Sequence, residues 1–130
     1  MSSDLRREVG SLGERLAAEH LTRAGYEIVE RNFRTRAGEL DLVVSEGRWL
    51  VFCEVKTRVV GSRRGPAEPL DAIGPDKRRR LRRMAGQWLA ARGQDTAPRT
   101  RRPELRFDAI GITVSRGGRL LRLDHVEGAF

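Results

Sequence analysis

The stretch Gly38-Glu39-Leu40-Asp41-Leu42-Val43-Val44-Ser45-Glu46-Gly47-Arg48-Trp49-Leu50-Val51-Phe52-Cys53-Glu54-Val55-Lys56-Thr57 decides the fold. Two runs rich in β-branched and aromatic residues flank Ser45-Glu46-Gly47-Arg48. That pattern predicts strands over residues 39–45 and 49–57 joined by a hairpin turn. Side chains two apart on a strand share a face, so Glu54 and Lys56 point the same way, as do Glu39 and Asp41. With the turn centred on Gly47-Arg48, the register sets Asp41 opposite Glu54. A two-residue slip would set it opposite Phe52, still diagonal to Glu54. Either register brings two carboxylates and a lysine together at the ends of apolar strands, where an unpaired charge is costly. Hard divalent cations take such oxygen ligands, and a bound ion activates water and stabilises charge on a phosphate. The competing reading is an ordinary surface ion pair between Glu54 and Lys56. The aspartate opposite them favours a metal-dependent phosphodiesterase site.

Upstream, residues 4–24 read as a helix on Leu5, Val9, Leu12, Leu16 and Ala17, ending at Gly25. A strand over 26–32 and a basic loop over 32–37 follow. On the helix, Glu14 falls near Ala17 and Leu21, at the edge of the apolar face. It either turns toward the sheet as a further carboxylate or closes a capping box with Ser11. Downstream, residues 58–75 form a long connection, and 76–92 read as a helix whose Leu81, Met84, Ala85 and Trp88 follow helical spacing. Residues 93–103 read as a basic linker, and 105–114 and 120–126 as strands around Gly117-Gly118. The order is α-β-β-β-α-β-β, an α/β chain forming one domain over residues 1–130.

The net charge of +8 and pI of about 11.2 point to a polyanionic partner, nucleic acid before acidic membrane or acidic protein. Of 26 Lys and Arg residues, only Lys56 and Lys77 are lysine. Arginine is locked in its charged form whereas lysine is a compact, tunable charge, so a lysine at the proposed site stands out. Contacts to a nucleic-acid backbone are expected from Arg34, Arg36, Arg58, Arg63 and Arg64 in loops beside the site. Lys77, Arg79, Arg82 and Arg83 on the second helix are expected to add to them. The single cysteine, Cys53, excludes an intrachain disulfide and fits a reducing compartment. It faces away from Glu54 into the core. No apolar run approaches the roughly 20 residues of a membrane span, and the first residues lack a signal-peptide stretch. The expectation is a cytoplasmic protein with no membrane partner. His20 and His125 have no partner at ligand spacing and read as surface or packing residues.

Further signals recur along the chain: Gly13-Glu14 with Ala17 and Leu21, Gly25-Tyr26, Arg31-Asn32, Gly38 to Leu42, Phe52 to Arg58, Lys77, Arg106-Phe107-Asp108 and Ala129-Phe130. In this order the chain resembles the YraN-type family of small bacterial proteins, grouped with restriction-endonuclease-like folds and similar to archaeal Holliday-junction resolvases. The resemblance implies an αβββαβ core, a central mixed sheet flanked by helices, and the nuclease signature PD-(D/E)xK. It implies Asp41 and Glu54 as ligands of Mg²⁺ or Mn²⁺, Lys56 as the catalytic lysine, and Glu14 as the helix-borne glutamate of the same site. Leu40 stands where that signature usually has proline. The implied function is a metal-dependent DNA endonuclease acting on branched or otherwise structured DNA. A two-fold homodimer is implied because two strands must be cut. The alternative is a nucleic-acid-binding protein of the same fold with little or no turnover. Glu39 is open between ligand, partner of Lys56 and turn residue.

Overall fold

The computed structural model describes residues 3–61, 70, 73–92 and 103–130. Its elements are α1 (Ser3–Arg23), β1 (Glu27–Thr35), β2 (Gly38–Glu46), β3 (Trp49–Val59), α2 (Pro75–Arg92), β4 (Glu104–Val114) and β5 (Leu120–Val126). The strands form one sheet in the order β1-β2-β3-β4-β5. β3 and β4 pair in parallel and the other neighbours antiparallel, so the sheet is mixed. A parallel pair needs a crossover, and α2 lies within it.

Each helix covers one face. Ala17, Ala18 and Leu21 of α1 pack on Leu42, Val44, Val51, Cys53, Val55, Ile110, Ile112 and Val114. Leu81, Met84, Ala85 and Trp88 of α2 pack on Leu40, Val43, Leu50, Phe52 and Phe107 on the other side. β3 is buried on both faces, which accounts for its nearly continuous apolar run. α1 closes in a Schellman turn: Tyr26 N–H donates to Leu21 C=O, Gly25 N–H to Thr22 C=O, and Gly25 takes φ 97°. α2 opens with Pro75, whose fixed φ suits the first helical position.

The hairpin pairs Leu42 with Cys53 and Glu46 with Trp49, the expected register, but the ladder stops one pair short of Asp41 and Glu54. Two strands run longer than their sequence suggests. β1 continues through the expected basic loop because Phe33 pairs with Leu40 and packs on the α2 side. The turn shrinks to Arg36-Ala37, where Thr35 Oγ1 accepts from Ala37 N–H and donates to Gly38 C=O. β3 continues to Val59 because parallel pairing with β4 extends to Val59↔Val114. Arg34 and Arg58 therefore sit on strands, not loops. Arg63, Arg64 and nearly all of the expected 93–103 linker lie outside the described residues.

His20 and His125 are not isolated. His20 Nε2 lies 3.1 Å from His125 Nδ1, and His125 Nε2 lies 2.8 Å from Asp108 Oδ2. Asp108 is 0% exposed and also accepts from Arg106 Nε and Nη2, both at 2.8 Å, and from Gly128 N–H at 3.0 Å. Arg106 reaches on to the Tyr26 hydroxyl. This network ties the end of α1 to β4 and β5. The partners come from distant parts of the chain, so local spacing could not reveal them. Replacing one member of a buried ionic set leaves the others unpaired, at about 3–5 kcal/mol. Asp108→Ala is accordingly expected to lower the urea midpoint sharply, followed by the fluorescence of Trp49 and Trp88. A wild-type midpoint would contradict this account of the network.

Candidate functional site

Leu40 packs in the α2-side cluster and Leu42 in the α1-side cluster, although residues two apart on a regular strand share a face. The strand turns over at Asp41. β1 does the same across from it. Arg31 lines the α1-side cleft and Phe33 packs on the α2 side, while Asn32 between them takes φ 53°. Asparagine is among the few residues that tolerate this left-handed conformation. The β2–β3 ladder ends at Leu42↔Cys53, and beyond it Asp41 Oδ2 accepts the N–H of Val55 at 2.8 Å. The aspartate thus bridges two strands instead of standing on either face. Groups from both sides of the sheet can meet around it: Glu14 from the α1 side, and Glu54, Lys56 and Lys77 from the α2 side.

Glu54 is 2% exposed. Its Oε1 lies 3.1 Å from Lys77 Nζ and 3.5 Å from Lys56 Nζ. Its Oε2 is buried and has no hydrogen-bond partner among the described residues. Burial first, and the Glu54 charge second, push the Asp41 carboxyl up to about 8, against the lowering effect of the Val55 N–H. The Glu14 carboxyl is also raised, by burial first, then by Glu39 and Glu54. Oxygens of Glu14, Glu39 and Asp41 lie within 4.8 Å of one another. With its NH₂ turned toward the carboxylates, Asn32 donates to Glu14 Oε2 at 2.8 Å and to Glu39 Oε1 at 2.7 Å. Glu39 thus joins the carboxylate cluster. Its ion pair with Arg34, at 3.6 Å, is exposed and weak.

Four carboxyl groups, partly desolvated, are gathered here. All the donors are carboxylate oxygens, the set that hard divalent cations take. The orphaned Glu54 Oε2 beside the protonation-prone Asp41 is what such an ion would satisfy. Glu14 caps nothing: α1 begins at Ser3, so Ser11 lies within the helix and the capping-box alternative falls away. Cys53 is buried in the α1-side core, and burial pushes its thiol up, as suits a packing residue.

Ser11, Glu14, Arg15, Arg31, Asn32, Asp41 and Leu42 line a cleft of ≈ 190 Å³ over the cluster. Arg15 is a site residue that the sequence does not single out, and Arg31, part of the Arg31-Asn32 signal, carries no role there. The one signal for Arg15 is its adjacency to Glu14. Of the expected backbone contacts, Arg36 and Arg83 are exposed, Arg79 pairs with Asp76, and Arg82 lies 4.8 Å over the Phe107 ring. Arg58 is half-buried on β3. Lys77 turns inward onto Glu54.

The model of the "Uncharacterised protein family UPF0102" matches residues 13–112 of the chain. UPF0102 proteins are among its relatives. That of Rhodococcus jostii is 43% identical over 122 residues, covering 94% of this chain and 95% of the relative. That of Kineococcus radiotolerans is 44% identical over 120 residues, 92% and 91% of the two chains. That of Symbiobacterium thermophilum is 44% identical over 124 residues, 95% and 97%. Among the described residues, no helix is long and apolar enough to cross a membrane.

Proposed function

We propose that this chain, which belongs to the UPF0102 family, is a divalent-metal-dependent endonuclease that hydrolyses phosphodiester bonds in branched or otherwise structured DNA. The observation that carries the reading is the buried, unpartnered Oε2 of Glu54 beside an Asp41 carboxyl held up by burial and by that same glutamate. Asp41 and Glu54 would hold Mg²⁺ or Mn²⁺, with Glu14 reaching it through water. When bound, the ion supplies an activated water and neutralises charge developing on the phosphate. Lys56, on the same face of β3 as Glu54, positions the attacking water and meets the negative charge of the pentavalent phosphate. Arg15 and Arg31 flank the cleft, and Arg36 and Arg83 extend positive charge outward, where a sugar-phosphate backbone would run. Cutting two strands of a junction calls for a two-fold dimer with one site per strand. On this proposal the protein acts in the cytoplasm, where it would meet a DNA substrate.

The test is a cleavage assay on duplex, single-stranded and four-way-junction DNA with Mg²⁺ or Mn²⁺. It compares the wild type with Lys56→Ala and Glu54→Gln. Wild type is expected to cut the junction, and each variant to lose about a hundredfold or more in rate. Wild type that cuts nothing, yet binds DNA with steep salt dependence, would leave a binding module of the same fold. Variants that cut as well as wild type would assign the activity elsewhere.

A further inference from the structure

Only two of the chain's 26 Lys and Arg residues are lysine, and both ammonium groups converge on one atom, the Oε1 of Glu54. One cation balances the charge of one buried carboxylate, so the second is surplus to that task. The two are not equivalent. Lys77 is nearer, at 3.1 Å against 3.5 Å, and its side chain is the less exposed, 27% against 34%. It also stands in the first turn of α2, two residues after Pro75, on a helix anchored by Leu81 and Met84. Lys56 is the farther and more exposed of the pair, on β3.

We infer that Lys77 is a positioning residue: it holds Glu54 by Oε1 alone, so that Oε2 stays open for a divalent cation and Lys56 is released to the reacting water and phosphate. This rests on the proposed reaction. The choice of lysine follows from its shape. An arginine fork binds a carboxylate through both oxygens, whereas an ammonium is a point charge that occupies one. In a chain otherwise built on arginine, a guanidinium at position 77 would close the oxygen that the site keeps open. The same geometry explains why Lys77 departs from its expected place among the DNA contacts. It faces the sheet, while Arg79 and Arg83 of the same helix face outward.

The experiment titrates Mn²⁺ alone into the full chain by calorimetry, for wild type, Lys77→Arg and Lys77→Met. Thermal melts and junction-cleavage rates at saturating Mn²⁺ are measured alongside. Lys77→Arg keeps the charge and is expected to melt close to wild type, yet to bind Mn²⁺ about tenfold or more weakly. Lys77→Met is expected to bind Mn²⁺ nearly as wild type. Its kcat should fall about tenfold, with KM for DNA unchanged, because Lys56 is drawn in as the remaining partner of Glu54. Wild-type Mn²⁺ affinity in Lys77→Arg overturns the inference, as does wild-type kcat in Lys77→Met. A rise in KM alone in both variants also overturns it and makes Lys77 a phosphate contact. If Lys77→Arg melts early, Lys77→Met decides. A wild type that binds Mn²⁺ but never cuts sinks the nuclease reading and leaves the Lys77→Arg titration to judge the lysine. One that binds no Mn²⁺ overturns both.

Discussion

Metal-free Asp41→Asn protein is expected to be more stable than wild type at neutral pH while losing its divalent-cation binding. Asp41 has a folded-state pKa of about 8, against an ordinary value of 3.8, with burial the main cause and the Glu54 charge the next. An acid raised on folding favours the folded state when protonated. That contribution is full below about pH 4 and is lost as pH climbs toward 8. At pH 7 the unfolded chain ionises Asp41 freely, while the folded chain resists, a cost on the order of 2–4 kcal/mol. Glu14 shifts in the same direction and adds to it. Asparagine keeps an oxygen that can accept the Val55 N–H and removes the ionisation. The variant should therefore melt several degrees higher than wild type at pH 7–8 in chelator, and the gap should close toward pH 4. Added Mn²⁺ should raise the melting temperature of wild type and leave Asp41→Asn unmoved. A variant less stable than wild type at every pH would show that Asp41 is structural. This pattern, in which a residue costs stability and supports binding, is expected of a site that stores like charge for a cation.

Gly13→Ala is expected to be more damaging than any surface change in α1. A Cβ at this position would lie 1.7 Å from Thr57 Oγ1 and 2.8 Å from Thr57 Cβ. The helix therefore rests on β3 with no room for a methyl group. Overpacking of this kind costs about 1–3 kcal/mol and at times more, which outweighs the ordinary helix-propensity gain of roughly 1 kcal/mol from replacing glycine. Relief requires α1 to lift away from the sheet, and Glu14 is the next residue. Gly13→Ala should lower the denaturation midpoint and also weaken Mn²⁺ binding. Gly10→Ala, three residues away with open space around it, should stabilise the helix and leave binding alone. Equal behaviour of the two variants would contradict the close approach.

The hairpin was legible because β-branched runs and a turn at Gly47 fix its register as far as Leu42↔Cys53, one pair short of Asp41. The helices were legible from the spacing of Leu12, Leu16 and Ala17 and of Leu81, Met84 and Trp88. What escaped depends on departures from periodicity or on long-range contact. The turning-over of β2 at Asp41 and of β1 at Asn32 breaks the alternation from which a strand is read, and nothing in Arg31-Asn32-Phe33 announces a left-handed residue. The end of β1 is hidden because Arg34 and Arg36 look like a loop. The single apolar Phe33 is what holds the strand in the sheet. In the sequence Lys77 is one more cation on a basic helix, since its inward direction follows from how α2 docks. The His20–His125–Asp108 set joins α1, β5 and β4, which no local pattern connects.

The most direct measurement is an anomalous difference map from crystals of the wild-type chain soaked in Mn²⁺. The account predicts a peak at coordinating distance from Asp41 and from Glu54 Oε2, with Lys77 still on Oε1. A map with no peak at these carboxylates at saturating Mn²⁺, or with the ion held elsewhere, would contradict it.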